Sequence, residues 1–146
     1  MLDEKTLANI TIFQDLSSEE LGRIKHLIFA RSFNHGSTLF LEGMKGEVFY
    51  IVQKGKIEIL KKKGSQEIFI ASLGAGDFVG EMSIIDESPR SASARVVEDA
   101  ELLVITKKCF QELMQAIPGA TNKILLAILK TVNQRLRDAN RKLVGN

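Results

Sequence analysis

Between Thr38 and Phe78 the chain is cut by glycine at Gly43, Gly46, Gly55, Gly64, Gly74 and Gly76. The stretches between the cuts are short and rich in β-branched or aromatic residues. That pattern leaves no window long enough for a stable helix and predicts strands at Thr38–Leu41, Val48–Gln53, Lys56–Lys61 and Glu67–Leu73. Upstream, Ile28, Ala30 and Ser32 alternate with Phe29, Arg31 and Phe33 before the turn residues "NHGS". Downstream, Ala92–Val97 and Glu101–Ile105 predict two further strands. Short strands separated by glycine turns are the sequence signature of a small antiparallel sandwich or barrel.

Helical patterns lie on either side. A short helix is expected near Glu4 to Asn9. In "DLSSEELGRI" Ser17 is placed to cap a helix running to about Leu27, with Glu20 completing a capping box and Leu16 and Leu21 forming a hydrophobic staple. Thr106 can cap a helix from Lys107 to about Ala116. "IPG" interrupts it, and a long helix follows from about Ala120 to Leu143, with Gly145 just past its end. That helix carries a heptad seam, Leu129, Leu136 and Leu143 at one position and Leu125, Val132 and Ala139 at the other. Ile124 and Ile128 form a second stripe. Two stripes suit two partners, the chain's own barrel and a second copy, so a homodimer through the last helix is expected.

A chain of 146 residues suits one domain with a real core, here 1–146, and 45% apolar content favours folding over disorder. A net charge of +2 does not argue for nucleic acid or a membrane surface. The lone Cys109 cannot form an internal disulfide, and a reduced cytoplasmic setting fits. "MLDEKTLANI" has no apolar run and does not read as a signal peptide. The longest apolar run, Ile124 to Leu129, is far too short to span a bilayer.

The chemistry concentrates in "VGEMSIIDESPRSASARV", residues 79–96. Gly80 permits close backbone approach. Glu81 to about Asp86 can form a helical turn whose first N–H groups face any anion placed before it. Pro89 fixes the backbone ahead of Arg90, which is expected to open a strand and present a planar fork of donors to phosphate oxygens. Ser91 adds a hydroxyl or an N–H. A carboxylate beside a phosphate site, Glu81, makes sense if it accepts a hydrogen bond from a sugar hydroxyl. Phosphate and ribose hydroxyl in one short cassette point to a nucleotide with a compact phosphate.

On these residues the chain resembles the cyclic nucleotide-binding domain family, from "IFQDLSSEEL" to the last helix. "GAGDFVGEMSIIDESPRSASARV" looks like the family's phosphate-binding cassette, here within 76–93, and "VFYIVQKGKIEI" looks like its central hairpin. The resemblance implies an α+β, mainly β fold: an antiparallel β-roll, a jelly-roll-like double-stranded β-helix, over 28–105. N-terminal helices over 1–27 and C-terminal helices over 106–144 would flank it. It further implies that Glu81 binds the ribose 2′-hydroxyl, that Gly80, Met82 and Ser83 supply or shape backbone contacts, and that Arg90 pairs with the cyclic phosphate, helped by Ser91. Ala92 and Ser93 would line the base side, and Asn140 would close over the base, with Arg137 and Arg141 as rivals. Val79 stands where the family usually has Phe, and Glu47 where it often has Asp; neither change removes a ligand donor. The implied ligand is cyclic AMP, with cyclic GMP second, because a hydroxyl residue after the arginine can favour the guanine form. A degenerate member, with Glu81 and Arg90 as an internal ion pair and a scaffolding role, is the competing expectation.

Other chemistries find little support. A cupin-like metal enzyme needs several His and carboxylate ligands, and the chain has only His26 and His35. No histidine pairs with Cys109, which reads as a small semi-buried core residue. Lys61, Lys62 and Lys63 read as a solvated hairpin tip. The basic end of the last helix opposes the helix dipole. No helix-turn-helix follows it in this sequence, so DNA binding by the chain itself is not expected. The downstream partner is unknown. The expectation is therefore a non-catalytic sensor module with no metal and no cofactor.

Overall fold

Two long strands carry the architecture, and each replaces two of the short strands read from the sequence. The computed structural model describes residues 2–145. Its helices are α1 (Glu4–Ala8), α2 (Ser18–Ile24), α3 (Glu81–Ile85), α4 (Lys107–Ala116) and α5 (Pro118–Leu143). Its strands are β1 (Phe29–Phe33), β2 (Thr38–Phe40), β3 (Val48–Lys63), β4 (Gln66–Leu73), β5 (Phe78–Val79) and β6 (Ser93–Thr106). They form one antiparallel β-roll in the order β1-β6-β3-β4, with β2 against β6 and β5 against β3. β5 has only two residues and left no sequence signal.

β3 and β6 pair from Val48 opposite Thr106 to Leu60 opposite Ser93. Gly55 does not turn the chain back. It sits at φ +93°, amid register shifts between Val52 and Ile57, and the strand bulges through it. A Cβ on Gly55 would fall 2.6 Å from the Ala100 Cα and against the Asp99 carbonyl oxygen. The expected central hairpin is therefore one bent strand, because Gly55 lets the β6 backbone pass where a side chain would stand. The true hairpin is β3–β4, which closes with Lys63 opposite Gln66.

Both faces of the β3–β6 pair are buried, by different material. Phe49, Ile51, Leu103 and Ile105 pack with the helices, against Leu7, Phe13, Ile24, Phe110, Leu113, Ile124 and Ile128. The alternate residues Val52, Ile57, Ala94, Val96 and Leu102 fill the interior of the roll. Successive side chains point to opposite faces, so a strand covered on both sides reads as a continuous apolar run such as "VFYIV" or "LLVI".

The helix starts follow the local chemistry. Ser17 Oγ accepts from the Glu20 N–H at 3.1 Å, and the Glu20 carboxylate accepts from the Ser17 N–H at 2.9 Å. Thr106 Oγ1 accepts from the Cys109 N–H at 3.0 Å. α5 begins at Pro118, two residues before the predicted start, because proline is pre-set for the first helical position. Ile124 and Ile128 are buried against the body as expected, whereas Leu129, Leu136 and Leu143 are exposed.

Two outcomes follow for stability. Gly55→Ala is expected to lower the melting temperature much further than Gly36→Ala. Both impose a left-handed conformation costing roughly 1–2 kcal/mol, but only Gly55 faces backbone, while Gly36 faces open space. Glu20 gives a pH signature. A hydrogen bond from Lys123, and then the Ser17 N–H, hold its carboxyl below the ordinary glutamate range. The folded chain therefore binds this proton less tightly than the unfolded chain. The stabilisation is fully present above about pH 4.3 and is lost as pH falls through the lower folded value. Thermal melts from pH 7 to pH 3 should show a steeper acid loss for the native chain than for Glu20→Gln.

Candidate functional site

The cassette between β5 and β6 is built around one buried arginine. Arg90 is 8% exposed. It does not open a strand, since β6 begins three residues later at Ser93. Its backbone is stitched instead to the 41–47 loop: the Arg90 N–H donates to the Met44 carbonyl at 2.8 Å, and the Gly43 N–H donates to the Arg90 carbonyl at 2.8 Å. Its Nη2 donates to the Val48 carbonyl at 2.8 Å. The guanidinium carbon lies 4.0 Å from the centre of the Phe40 ring, which stacks on Tyr50 at 6.4 Å. Such a cation over an aromatic face gains about 0.5–2 kcal/mol.

Gly80 makes this placement possible. It caps α3 at φ +91°, and a Cβ there would lie 2.6 Å from Arg90 Nη1 and 2.7 Å from the Val48 carbonyl oxygen. The close approach expected of this glycine is thus an approach to the arginine itself. Nε and Nη1 of Arg90 are buried without a hydrogen-bond partner among the described residues. A buried unsatisfied donor costs roughly 1–3 kcal/mol, and more when charged. Burial pushes the guanidinium below its ordinary pKa, while Tyr50 and Glu81 act in the opposite direction. The phenol of Tyr50 is raised by its own burial, partly offset by Arg90 and Arg31. An arginine stays charged under these conditions, so the site holds a cation with two free donors.

Gly80, Glu81, Met82, Arg90, Ser91 and Ala92 line one cavity of about 700 Å³, within the size range of small-molecule sites. β4 contributes Ile70 to Leu73, and the far end of α5 forms the opposite wall. The Ser91 carbonyl accepts from Lys61 Nζ at 2.8 Å, so one lysine of the exposed hairpin run is tied to the cassette. Ser93 is buried outside the lining, where its hydroxyl accepts from the Glu42 N–H at 2.9 Å; it holds the loop rather than facing the cavity. The backbone of Ser83 lies in α3, and its side chain lies outside the described residues.

The α5 wall corrects the choice of Asn140, which is exposed and off the lining, as are Arg137 and Arg141. Arg135, Asp138, Ala139, Lys142 and Leu143 face the cavity. At ~100° per residue, Asn140 lies roughly 140° around the helix from Arg135. Arg135 was legible in principle: it falls seven residues after Ile128, on the stripe that faces the body. Nor does Glu81 pair with Arg90. Its carboxylate, 14% exposed, meets Arg135 Nη1 at 3.6 Å.

Comparison with known proteins agrees with this geometry. The family model described as "Cyclic nucleotide-binding domain" matches residues 30–116. The cyclic AMP receptor protein of Thermus thermophilus is 33% identical over 133 residues, covering 90% of this chain and 60% of that protein. This chain thus spans about 60% of the length of that curated relative. The crystal structure of the Thermus thermophilus catabolite activator protein superposes with a TM-score of 0.78 at 33% identity, over 91% of this chain and 61% of that one. A cyclic nucleotide-binding domain from Methylobacillus flagellatus KT shares the fold with a TM-score of 0.89 at 24% identity, over 97% and 82% of the two chains.

The free donors of Arg90 predict a measurable anion response. Tens of millimolar inorganic phosphate should raise the melting temperature of the native chain, as any ligand specific for the folded state must. Arg90→Met, which fills similar space without donors, should lose that rise.

Proposed function

The chain belongs to the cyclic nucleotide-binding domain family, and we propose that it is a non-catalytic sensor for cyclic AMP, with cyclic GMP as the weaker alternative. The observation that carries this reading is the buried, half-satisfied guanidinium of Arg90 at the cavity wall, with the Glu81 carboxylate on the same wall. Arg90 would take the cyclic phosphate through Nε and Nη1, the two donors that no described protein group occupies. Glu81 would accept from the ribose 2′-hydroxyl, and Ser91 would assist Arg90. Met82, Ala92, Ile70 and Leu73 would give the base an apolar surround. The preference for cyclic AMP draws on the name of the Thermus receptor, which this chain resembles over 90% of its length.

Signalling would be a population shift. The wall that would move is α5, whose cavity-facing residues lie beyond its buried anchor at Ile124 and Ile128. Ligand would favour one position of that segment, and a partner would read it. The heptad seam supports a homodimer: Leu129 and Leu136 are 54% and 59% exposed, apolar side chains with no cover in a single chain. No helix among the described residues is long and apolar enough to cross a membrane, and the unpaired Cys109 fits a cytoplasmic setting.

Calorimetric titration with cyclic AMP and then cyclic GMP tests the reading. Micromolar affinity, about −8 kcal/mol, is expected for cyclic AMP. Arg90→Ala should weaken it by at least the roughly 1.5–3 kcal/mol of a charge-assisted hydrogen bond. Equal affinity in the variant would refute the assignment of Arg90. No heat from either nucleotide, with protein free of carried-over ligand, would favour a scaffolding role instead.

A further inference from the structure

Of the lysine run 61–63 that closes β3, Lys61 reaches back onto the cassette. Ser91 lies in a bend between Arg90 and β6, outside the sheet ladder. The segment is held at three points. The Arg90 backbone is bonded to Gly43 and Met44, and Ser93 Oγ accepts from the Glu42 N–H at 2.9 Å. Between them the Ser91 carbonyl accepts from Lys61 Nζ at 2.8 Å. Lys61 is itself aimed, because its ammonium lies 3.6 Å from Glu42 Oε2. Glu42 is fixed in turn by the Lys62 N–H, which donates to its Oε1 at 3.0 Å. Pairing of β3 with β6 ends at Leu60 opposite Ser93, and that leaves the Lys62 N–H to Glu42. One acidic residue of the 41–47 loop thus reaches both serines that flank Ala92: Ser93 through its own N–H, and Ser91 through Lys61.

We infer that Lys61, aimed by Glu42, is a positioning residue for Ser91: it pins the Ser91 carbonyl so that the hydroxyl is held toward the cyclic phosphate beside Arg90. This deepens the nucleotide reading of the preceding subsection and rests on it. Ser91 lines the cavity but is exposed, and no strand fixes its backbone. Ordering such a residue costs conformational entropy. Lys61 orders it in the folded chain, before a ligand arrives, and preorganisation of that kind favours binding. Lys61 follows the cavity-lining Ile59 by two residues, on the same face of β3, yet stands outside the lining itself. It therefore acts through Ser91 and not by touching the ligand. Glu42 offsets the lysine charge, so the pair adds little net field at the phosphate, and what it contributes is orientation. Both side chains are partly exposed, where an ion pair adds little to stability.

A double-variant cycle tests this. Cyclic AMP is titrated into the full chain, native and carrying Lys61→Met, Ser91→Ala or both. Methionine keeps much of the side-chain length and removes the donors. Ser91→Ala is expected to weaken binding about tenfold, the worth of one hydrogen bond to a charged group. Lys61→Met should weaken it about threefold, because the hydroxyl stays but is no longer held. The combined variant should bind no more weakly than Ser91→Ala alone, since a residue that acts through another is not additive with it. Glu42→Gln keeps an acceptor for the Lys62 N–H and loses the charge that aims Lys61, so it carries the same cycle if Lys61→Met fails to fold. If the two losses multiply in the combined variant, Lys61 acts on the whole cassette or through its charge, and the inference is wrong. It is also wrong if Lys61→Met binds as the native chain does. If Ser91→Ala binds as the native chain does, Ser91 gives the ligand nothing and the inference fails with that role. If the native chain does not bind cyclic AMP, the sensor reading itself falls first and takes this inference with it.

Discussion

A guanidinium buried in a small protein must be held by the groups around it, and most of the cassette follows from that constraint on Arg90. Its guanidinium lies over Phe40, one donor is taken by the Val48 carbonyl, and its backbone is sewn into the 41–47 loop. These partners all lie in one continuous stretch, residues 40–48, from the end of β2 to the start of β3, which the roll lays against the cassette. Gly80 is then obligatory for a steric reason, because any side chain there would collide with the fork and with the same carbonyl. The two donors left over carry no structural duty. Left without a partner, their burial is unfavourable.

The scaffold that presents this arginine is the β3–β6 pair. Its two faces are sealed by different cores, one helical and one inside the roll. The pair therefore connects two layers. Val48, whose carbonyl holds Arg90, begins β3, and β3 also pairs with β5, whose last residue leads directly into Gly80. Phe78 on β5 packs in the helical core while its carbonyl and ring receive Arg135 from α5. The cassette and α5 thus meet on the same two-residue strand. A change at Glu81 has a short physical route to α5, through one side chain rather than through a long chain of contacts.

Much of this was legible from local chemistry. The capping box at Ser17 and Glu20, the cap at Thr106, the buried stripe of Ile124 and Ile128, and the Gly-Glu and Pro-Arg pairs depend on neighbours a few positions apart. The readings that missed were those decided by a partner distant in sequence. Gly55 looked like a turn because a bulge and a turn both want a positive φ, and the deciding contact is with Asp99 and Ala100 across the sheet. Ser93 looked like a ligand-facing hydroxyl, but a loop N–H from Glu42 claims it. Asn140 was chosen for its chemistry, whereas the angular position of each residue on α5 selects Arg135 instead.

The sequence by itself determined that the chain is a glycine-punctuated antiparallel β domain between helices, and that its candidate binding residues cluster in 79–93. Those features are local, set by backbone propensity, capping and the order of a few side chains. Only the tertiary structure decided that Arg90 is buried with two donors free, that Gly80 is cut to fit it, and that Glu81 is held from α5 rather than by Arg90. The reason is that burial and pairing of charge are properties of space. They depend on which segments the β3–β6 pairing brings within a few ångströms, and sequence separation carries no measure of that distance.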